Sequence, residues 1–175
     1  RRIIDCVAID DYSEVDARIQ EGLGYDWIVF TSIRGTQHLC ERLFALGKDV
    51  RSLGRAKIAA IGQSTALRLR EFGLCADLVA ETESSAGLLE AFAQQKVSGQ
   101  RFLLPCAEIA SSKLPDGLKK RGAQVDSQVV YKTIDIDPGE IDFDYIDQIL
   151  FTSGSTVRAF VKYYGQVPEG IQAWA

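Results

Sequence analysis

Short apolar runs alternate with longer amphipathic stretches along almost the whole chain, and this pattern limits the fold more than any other feature. Residues 3–9, 27–30, 57–61, 78–79, 102–104, 128–131 and 148–151 read as strands. Residues 36–46, 64–72, 85–95 and 109–121 read as helices. A strand followed by a helix, again and again, calls for parallel sheets with helices on their faces, because a parallel neighbour can be reached only by a crossover. A content of 46% hydrophobic and 25% charged residues supplies enough apolar surface for such a core.

Composition also narrows function. The formal charge is -4, and no dense Lys/Arg stretch is present to neutralise phosphates, so nucleic acid is not the expected partner. No apolar run approaches the roughly 18 residues of a membrane helix, and the opening RRIIDCVAIDDYSEVD turns acidic before a signal peptide could form. A cytoplasmic protein with no membrane partner is expected. Cys6, Cys40, Cys75 and Cys106 never form CxxC, and the chain has one His, so no metal site is expected and the thiols read as small buried residues in a reducing compartment.

Local signals mark where helices begin and end. In IGQSTALRLREFG, Ser64 or Thr65 can cap a helix that Gly73 stops, with Leu67, Leu69 and Phe72 on its apolar side. In TESSAGLLEAFAQQ, Ser84 or Ser85 can cap, with Leu88, Leu89 and Phe92 facing the core. Pro115 in SKLPDGLKKRG predicts a helix that ends at Leu114 and restarts there. The acidic TIDIDPGEIDFDYID, broken by Pro138-Gly139, reads as a linker or turn, and Asp10 to Glu14 as a second separator.

One unit occurs twice. WIVFTSIRGTQHL and QILFTSGSTVRAF each run an apolar strand into Phe-Thr-Ser before a helix, and residues 28–43 align with 149–164 without a gap. The GIQAWA after the second copy corresponds to the RAKIAAIG after the first.

A strand that ends in Thr-Ser before a helix presents hydroxyls beside unpaired backbone N–H groups, a corner able to hold carboxylate or phosphate without a Lys. Ser32, Gly35 and Thr36 form one such corner; Ser153, Gly154, Ser155 and Thr156 form another; Gly62, Gln63, Ser64 and Thr65 form a third. Plain helix capping explains the same residues, and GQS lacks the glycines and Lys of a phosphate loop. Tyr131, at the end of QVVYKT, fits either a sheet aromatic or a cleft phenol offering an O–H. His38 reads as packed or solvent-facing, and Glu108 and Lys113 as surface charge.

Taken in order, YDWIVFTSIRGTQHL, KIAAIGQSTALRLREFG, DLVAETESSAGLLEAF, RFLLPCAEIASSKLPDGLKKRGAQVDSQVVYKT and QILFTSGSTVRAF resemble the uroporphyrinogen-III synthase family of tetrapyrrole biosynthesis. The resemblance implies α/β architecture in two parallel-sheet, three-layer domains, one inserted in the other and joined by a two-strand linker. On this chain it implies residues 1–10 as the start of the outer domain and first crossing, 11–130 as the inserted domain, 131–135 as the second crossing and 136–175 as the rest of the outer domain. It implies no cofactor. The implied reaction closes the linear hydroxymethylbilane, bearing eight carboxylates, into uroporphyrinogen III between the domains, with loss of water and inversion of the last ring through a spiro intermediate.

The resemblance gives Tyr131 the role of assisting proton donor, and places Thr31, Ser32, Gly62, Ser64, Thr65, Thr152, Ser153 and Ser155 along the cleft. Arg34 stands where the family has Asn, which adds a charge beside Gly35. Cys106 stands where Arg is frequent in the family, and another Arg is frequent near Ser111; both losses remove donors suited to carboxylates. It further implies outer-domain elements on both sides of these residues, about seventy or eighty residues by ordinary domain size, a monomer, and fusion or adjacency to other enzymes of the pathway such as a methyltransferase. The 175 residues alone are expected to have little synthase activity. Two rivals remain: a non-catalytic two-lobed module for polycarboxylates, with Tyr131 turned into the sheet, and a response-regulator-like domain with one compact sheet.

Overall fold

The computed structural model describes residues 2–20 and 24–174; Arg1 and Ala175, the outer limits of the expected outer domain, lie outside them. The chain divides into two units, a larger one of Ala8–Lys132 and a smaller one of Arg1–Val7 with Thr133–Ala175. There are two sheets: one of two strands, within the smaller unit, and one of six strands, mostly within the larger, although Ile4–Val7 and Thr133–Asp135 of its strands fall in the ranges of the smaller.

In chain order the elements are β1 (Ile4–Ala8), α1 (Ser13–Gln20), β2 (Trp27–Phe30), α2 (Ile33–Ala45), β3 (Lys57–Ala60), α3 (Gln63–Glu71), β4 (Leu78–Val79), α4 (Ser85–Ala91), β5 (Arg101–Ala107), α5 (Lys113–Lys120), β6 (Gln124–Asp135), β7 (Gln148–Leu150), α6 (Gly154–Tyr164) and β8 (Gln172–Trp174). The large sheet runs β1-β6-β5-β2-β3-β4. Its β6, β5, β2, β3 and β4 are parallel, so α2, α3, α4 and α5 are the crossovers. All four residues of β2 are buried, as expected of a strand covered on both faces.

Period-two alternation sends Trp27 and Val29 to one face, where they join Leu88 and Phe92 of the α4 region, Phe102 and Leu104 of β5, and Leu114 and Leu118 of α5. Trp27 meets Phe92 edge-on at 5.0 Å and stacks on Phe102 at 6.3 Å, while its Nε1 donates to Gln100 Oε1 at 3.1 Å. Such aromatic pairs add roughly 0.5–1.5 kcal/mol each beyond their burial. α2 and α3 pack on each other.

From β2 the chain steps outward through β3 to β4, then returns to the other side of β2 to lay down β5 and β6. The crossovers therefore change direction between β2 and β5, and a crevice opens at the carboxyl ends of those two strands.

In the smaller unit β7 and β8 pair in parallel, Gln148 with Gln172 and Leu150 with Trp174, and α6 connects them. Thus β7-α6-β8 repeats β2-α2-β3, with helices that start at the aligned Ile33 and Gly154. Phe160 packs against Phe143, Phe151 and Tyr164 with ring centroids 5.1–6.2 Å away. The side chains of Leu150, Val161 and Trp174 remain exposed.

Several expectations need correction. Residues 10–14 are no separator: Ser13 opens α1, with Asp11 Oδ1 accepting from its N–H at 2.8 Å. α5 begins only at Lys113 and passes through Pro115 unbroken, because in the first turn the missing N–H has no helical partner to lose. Gly62, with no side-chain cap, is the N-cap of α3 in place of Ser64 or Thr65. The buried side of α3 is Thr65, Ala66 and Leu69, whereas Leu67 is exposed. Of the four free thiols Cys40 is buried, Cys6 and Cys106 are half-buried, and Cys75 is exposed.

Candidate functional site

The crevice between β2 and β5 holds a pocket of about 250 Å³, all of it within the larger unit. Thr31 and Ser32 enter it from the end of β2, Cys106 and Ala107 from the end of β5, and Tyr131 from β6. Six hydroxyls line it, those of Thr31, Ser32, Ser85, Ser111, Ser127 and Tyr131, over an apolar floor that includes Ile61, Leu104 and Leu114. No Asp, Glu, Lys or Arg is among its lining residues. At roughly 30 Å³ of liquid volume per water, it has room for about eight waters, the scale of one substituted five-membered ring.

Local chemistry explains how the hydroxyls are held. Ser32 is the N-cap of α2, and its Oγ accepts from Gly35 N at 2.9 Å. Its carbonyl accepts from Thr36 Oγ1 at 3.1 Å, so both ends of the residue are fixed. Gly35 is glycine for a packing reason: a Cβ there would lie 3.0 Å from the Pro105 carbonyl oxygen. α2 therefore rides close on β5, and this brings Ser32 to the crevice.

Tyr131 is aimed by an irregularity. Cys106 pairs with Val129 but Ala107 pairs with Tyr131, so β6 carries an extra residue, Val130, at that step. The bulged Val130 carbonyl accepts from Tyr12 Oη at 3.1 Å, and the Tyr131 carbonyl accepts from Glu108 N at 3.0 Å. Tyr131 is 9% exposed, yet it borders the pocket, and its Oη lies 3.4 Å from Ser32 Oγ. That separation is long for an O–H···O bond, whose usual length is near 2.8 Å. Against its ring stacks His38, with centroids 5.4 Å apart and planes at 11°.

Burial lowers the His38 pKa, Glu41 opposes and Arg34 adds to the fall, so the imidazole is neutral at pH 7. Burial pushes the Cys106 thiol up. Cys106, where the resemblance implies Arg, and Ser111, near which it implies another, both line the pocket and leave it uncharged.

Within the larger unit the structure brings Thr31, Ser32 and Tyr131 together and leaves Arg34, Gly35, Gly62, Ser64 and Thr65 off the pocket lining. Gly35 is buried, with its N–H committed to Ser32. Arg34 is exposed on α2, with Nη1 3.5 Å from Gln37 Oε1. Gly62 lies under the Glu83 side chain, Ser64 is exposed on α3 and Thr65 is 3% exposed on its buried side; of the third corner only the preceding Ile61 reaches the pocket. Thr152, Ser153 and Ser155 belong to the smaller unit. There Ser153 caps α6 in a reciprocal box with Thr156, Ser155 Oγ accepts from Arg158 Nη2 at 3.1 Å, and Thr152 borders a separate pocket of about 320 Å³ lined mainly by apolar side chains.

Ser85 and Ser127 line the pocket without having been expected there, while His38, read as packed or solvent-facing, is packed against Tyr131. Ser127 could have been found, because it shares the face of β6 that carries Tyr131 in a simple alternation.

The chain matches the family model HEM4, uroporphyrinogen-III synthase HemD, over residues 3–174. It belongs to the uroporphyrinogen-III synthase HemD family. It is 30% identical over 150 residues to a porphyrin biosynthesis protein HemD of Ruminiclostridium josui, which covers 82% of this chain and 30% of that protein. A second curated relative, from Methanothermobacter thermautotrophicus, is 32% identical over 151 residues, 81% of this chain and 58% of its own length. The chain therefore spans less than two thirds of either relative. Among solved structures, a mutant uroporphyrinogen-III synthase of Thermus thermophilus superposes with a TM-score of 0.72 at 20% identity, over 98% of this chain and 72% of that one, which shows a shared fold. Membership agrees with two α/β sheets on one chain, and one compact response-regulator-like sheet is set aside. Among the described residues no helix is long and apolar enough to cross a membrane, and no His/Cys/Asp/Glu group could hold a metal ion.

Proposed function

We propose that this chain carries out the family's ring closure, converting hydroxymethylbilane into uroporphyrinogen III, with the pocket between β2 and β5 taking one carboxylate-bearing pyrrole ring. The observation that carries the reading is the meeting of Tyr131 and Ser32 hydroxyls at the sheet's switch point in a member of this family.

The pocket suits such a ring without a cation. Its hydroxyls can donate to carboxylate oxygens, its floor is apolar, and Ser32 stands at the start of a 13-residue helix whose first turn has no acidic residue. Ser32 Oγ has one proton and two lone pairs, and Gly35 N–H occupies one of the pairs. In this reading the Ser32 proton goes to the Tyr131 oxygen and the phenol keeps its own proton to donate.

In the proposed reaction the C–O bond of the terminal hydroxymethyl group breaks and Tyr131 assists by donating toward the departing oxygen, which leaves as water. The azafulvene cation that remains is attacked by the substituted carbon of the last ring, and the spiro intermediate fragments and recloses at that ring's free carbon with the ring inverted; the proton lost there as the pyrrole regains its aromaticity restores the phenol through solvent. Holding the chain so that this closure outruns direct cyclisation is mainly a matter of position. In this reading the Thr152-Ser153-Ser155 corner of the smaller unit and the exposed Ser64 of α3 serve as further anion contacts, and the work is done in the cytoplasm by a monomer supplied by neighbouring enzymes of the pathway.

The test is conversion of hydroxymethylbilane by the purified chain, with product isomers separated by chromatography. A slow conversion in which isomer III predominates is expected, since the chain spans less than two thirds of the relatives it matches, and Tyr131→Phe should lower its kcat by up to about 10²-fold, the lower end of general acid effects. Formation of isomer I alone, at the rate seen without protein, overturns the reading. The non-catalytic module then becomes the better account, provided the chain still binds a polycarboxylate.

A further inference from the structure

We propose that His38 is the positioning residue that sets the ring plane of Tyr131, so that its hydroxyl is presented at the pocket. The inference rests on the role given to Tyr131 above.

A tyrosine side chain at a strand end has one feature that backbone geometry leaves loose. Its χ2 well is broad, so a bulge can aim Cβ without fixing the plane of the ring. A single contact at the hydroxyl is equally insufficient, since the ring can rock about a fixed tip. Among the contacts of Tyr131, the one at its tip is Ser32 Oγ at 3.4 Å, and a contact on its face adds the constraint that the tip does not give. His38 supplies it, with centroids 5.4 Å apart and planes within 11° of parallel.

Both contacts come from one rigid element. Ser32 caps α2, and His38 lies between one and two turns further along the same helix. α2 is itself held against β5 at Gly35, so a single helix clamps tip and face and ties both to the strand beside β6. A flat side chain suits the task better than a branched one, since only a ring covers a ring at this angle. The imidazole is neutral, so it can lie against the phenol without bringing a charge to a pocket lined by none.

The experiment compares His38→Ala and His38→Phe in the full chain. With tyrosine rings isotopically labelled, and the Tyr131 signal assigned by its loss in Tyr131→Phe, the ring protons of Tyr131 should lose their ring-current shift in His38→Ala and keep most of it in His38→Phe. On hydroxymethylbilane, His38→Ala should lower kcat about tenfold or more with KM changed less than about twofold, His38→Phe should restore most of the loss, and His38→Ala should add little in a Tyr131→Phe background. An unchanged Tyr131 signal in His38→Ala overturns the proposal. So does a kcat loss that His38→Phe leaves unrestored, or one that adds in full to that of Tyr131→Phe. The spectrum needs no turnover, so an inactive wild-type chain with a shifted Tyr131 ring counts against the proposed reaction and leaves the His38 contact standing.

Discussion

Replacing Gly35 by Ala tests the close approach that builds the site. A Cβ at Gly35 would stand 3.0 Å from the Pro105 carbonyl oxygen and 3.1 Å from Ser32 Oγ, tighter than ordinary van der Waals contact. Pro105 belongs to β5, which is paired on both sides, with β6 at Gln128 and with β2 at Phe102 and Leu103, so its carbonyl cannot retreat alone. Overpacking of this kind costs about 1–3 kcal/mol. Against it stands a helix-propensity gain of up to about 1 kcal/mol for Gly to Ala. The net expectation is a loss near 1 kcal/mol, or roughly 2–4 °C in Tm for a chain of this size.

The repeat supplies its own control. At Gly154, the first residue of α6, a Cβ would meet only Arg158 Nη1 at 3.5 Å, so Gly154→Ala should be neutral or stabilising by up to about 1 kcal/mol. The assay is urea unfolding followed by circular dichroism, with m-values compared to confirm that midpoints report stability. A Gly35→Ala midpoint equal to or above wild type refutes the argument, because it means that α2 and β5 have slack and that Ser32 is not held at the crevice by their contact.

Two further outcomes follow from burial. His38 has its pKa lowered in the folded chain, so above its ordinary value near 6.5 both states are neutral and its contribution is complete. Below that value the unfolded chain takes up a proton that the folded one refuses, and stability falls with pH until the folded pKa is passed. Urea midpoints at pH 7.5 and 5.5 should therefore drop more for wild type than for His38→Phe, and equal drops refute the assignment. Among the thiols, burial pushes Cys40 up to about 12 and also raises Cys106, while Cys75 is exposed. Alkylation at pH 8 read by mass spectrometry should label Cys75 well before Cys106 and leave Cys40 unlabelled until the chain unfolds.

The periodicity made the larger sheet legible because its strands are buried on both faces and its crossovers are helical, which leaves continuous apolar runs between amphipathic ones. β2 and β4 were read to the residue, and β5 and β6 were read short. β6 extends from Gln124 to Asp135 through Asp126, Ser127 and Lys132, polar residues that no apolar count would assign to a strand. α1 escaped because only Val15 and Ile19 are buried in a stretch otherwise rich in acid. The hydroxyl corners were visible as Thr-Ser-Gly patterns, but their fate depends on what sits above them. Glu83 covers Gly62 from a different loop, and no local pattern in GQST foretells it. Pro105 was the unused signal, since a Pro within a central strand often marks a bulge, and the bulge beside it aims Tyr131.

The two Phe-Thr-Ser copies show how one motif can leave its serine in a closed local box in one place and beside a pocket in another. Ser153 and Thr156 satisfy each other: Thr156 N donates to Ser153 Oγ, Ser153 N donates to Thr156 Oγ1, and Thr156 Oγ1 donates to the Ser153 carbonyl. The aligned partner of Thr156 is Gly35, which has no hydroxyl, so Ser32 Oγ takes the backbone N–H but gets no reciprocal side chain. Glycine at that position also admits the β5 backbone, and the helix settles far enough in for Ser32 to face Tyr131. A single difference at the third helical position thus moves the capping serine from a closed local box to the edge of a pocket, where its proton is available to a phenol.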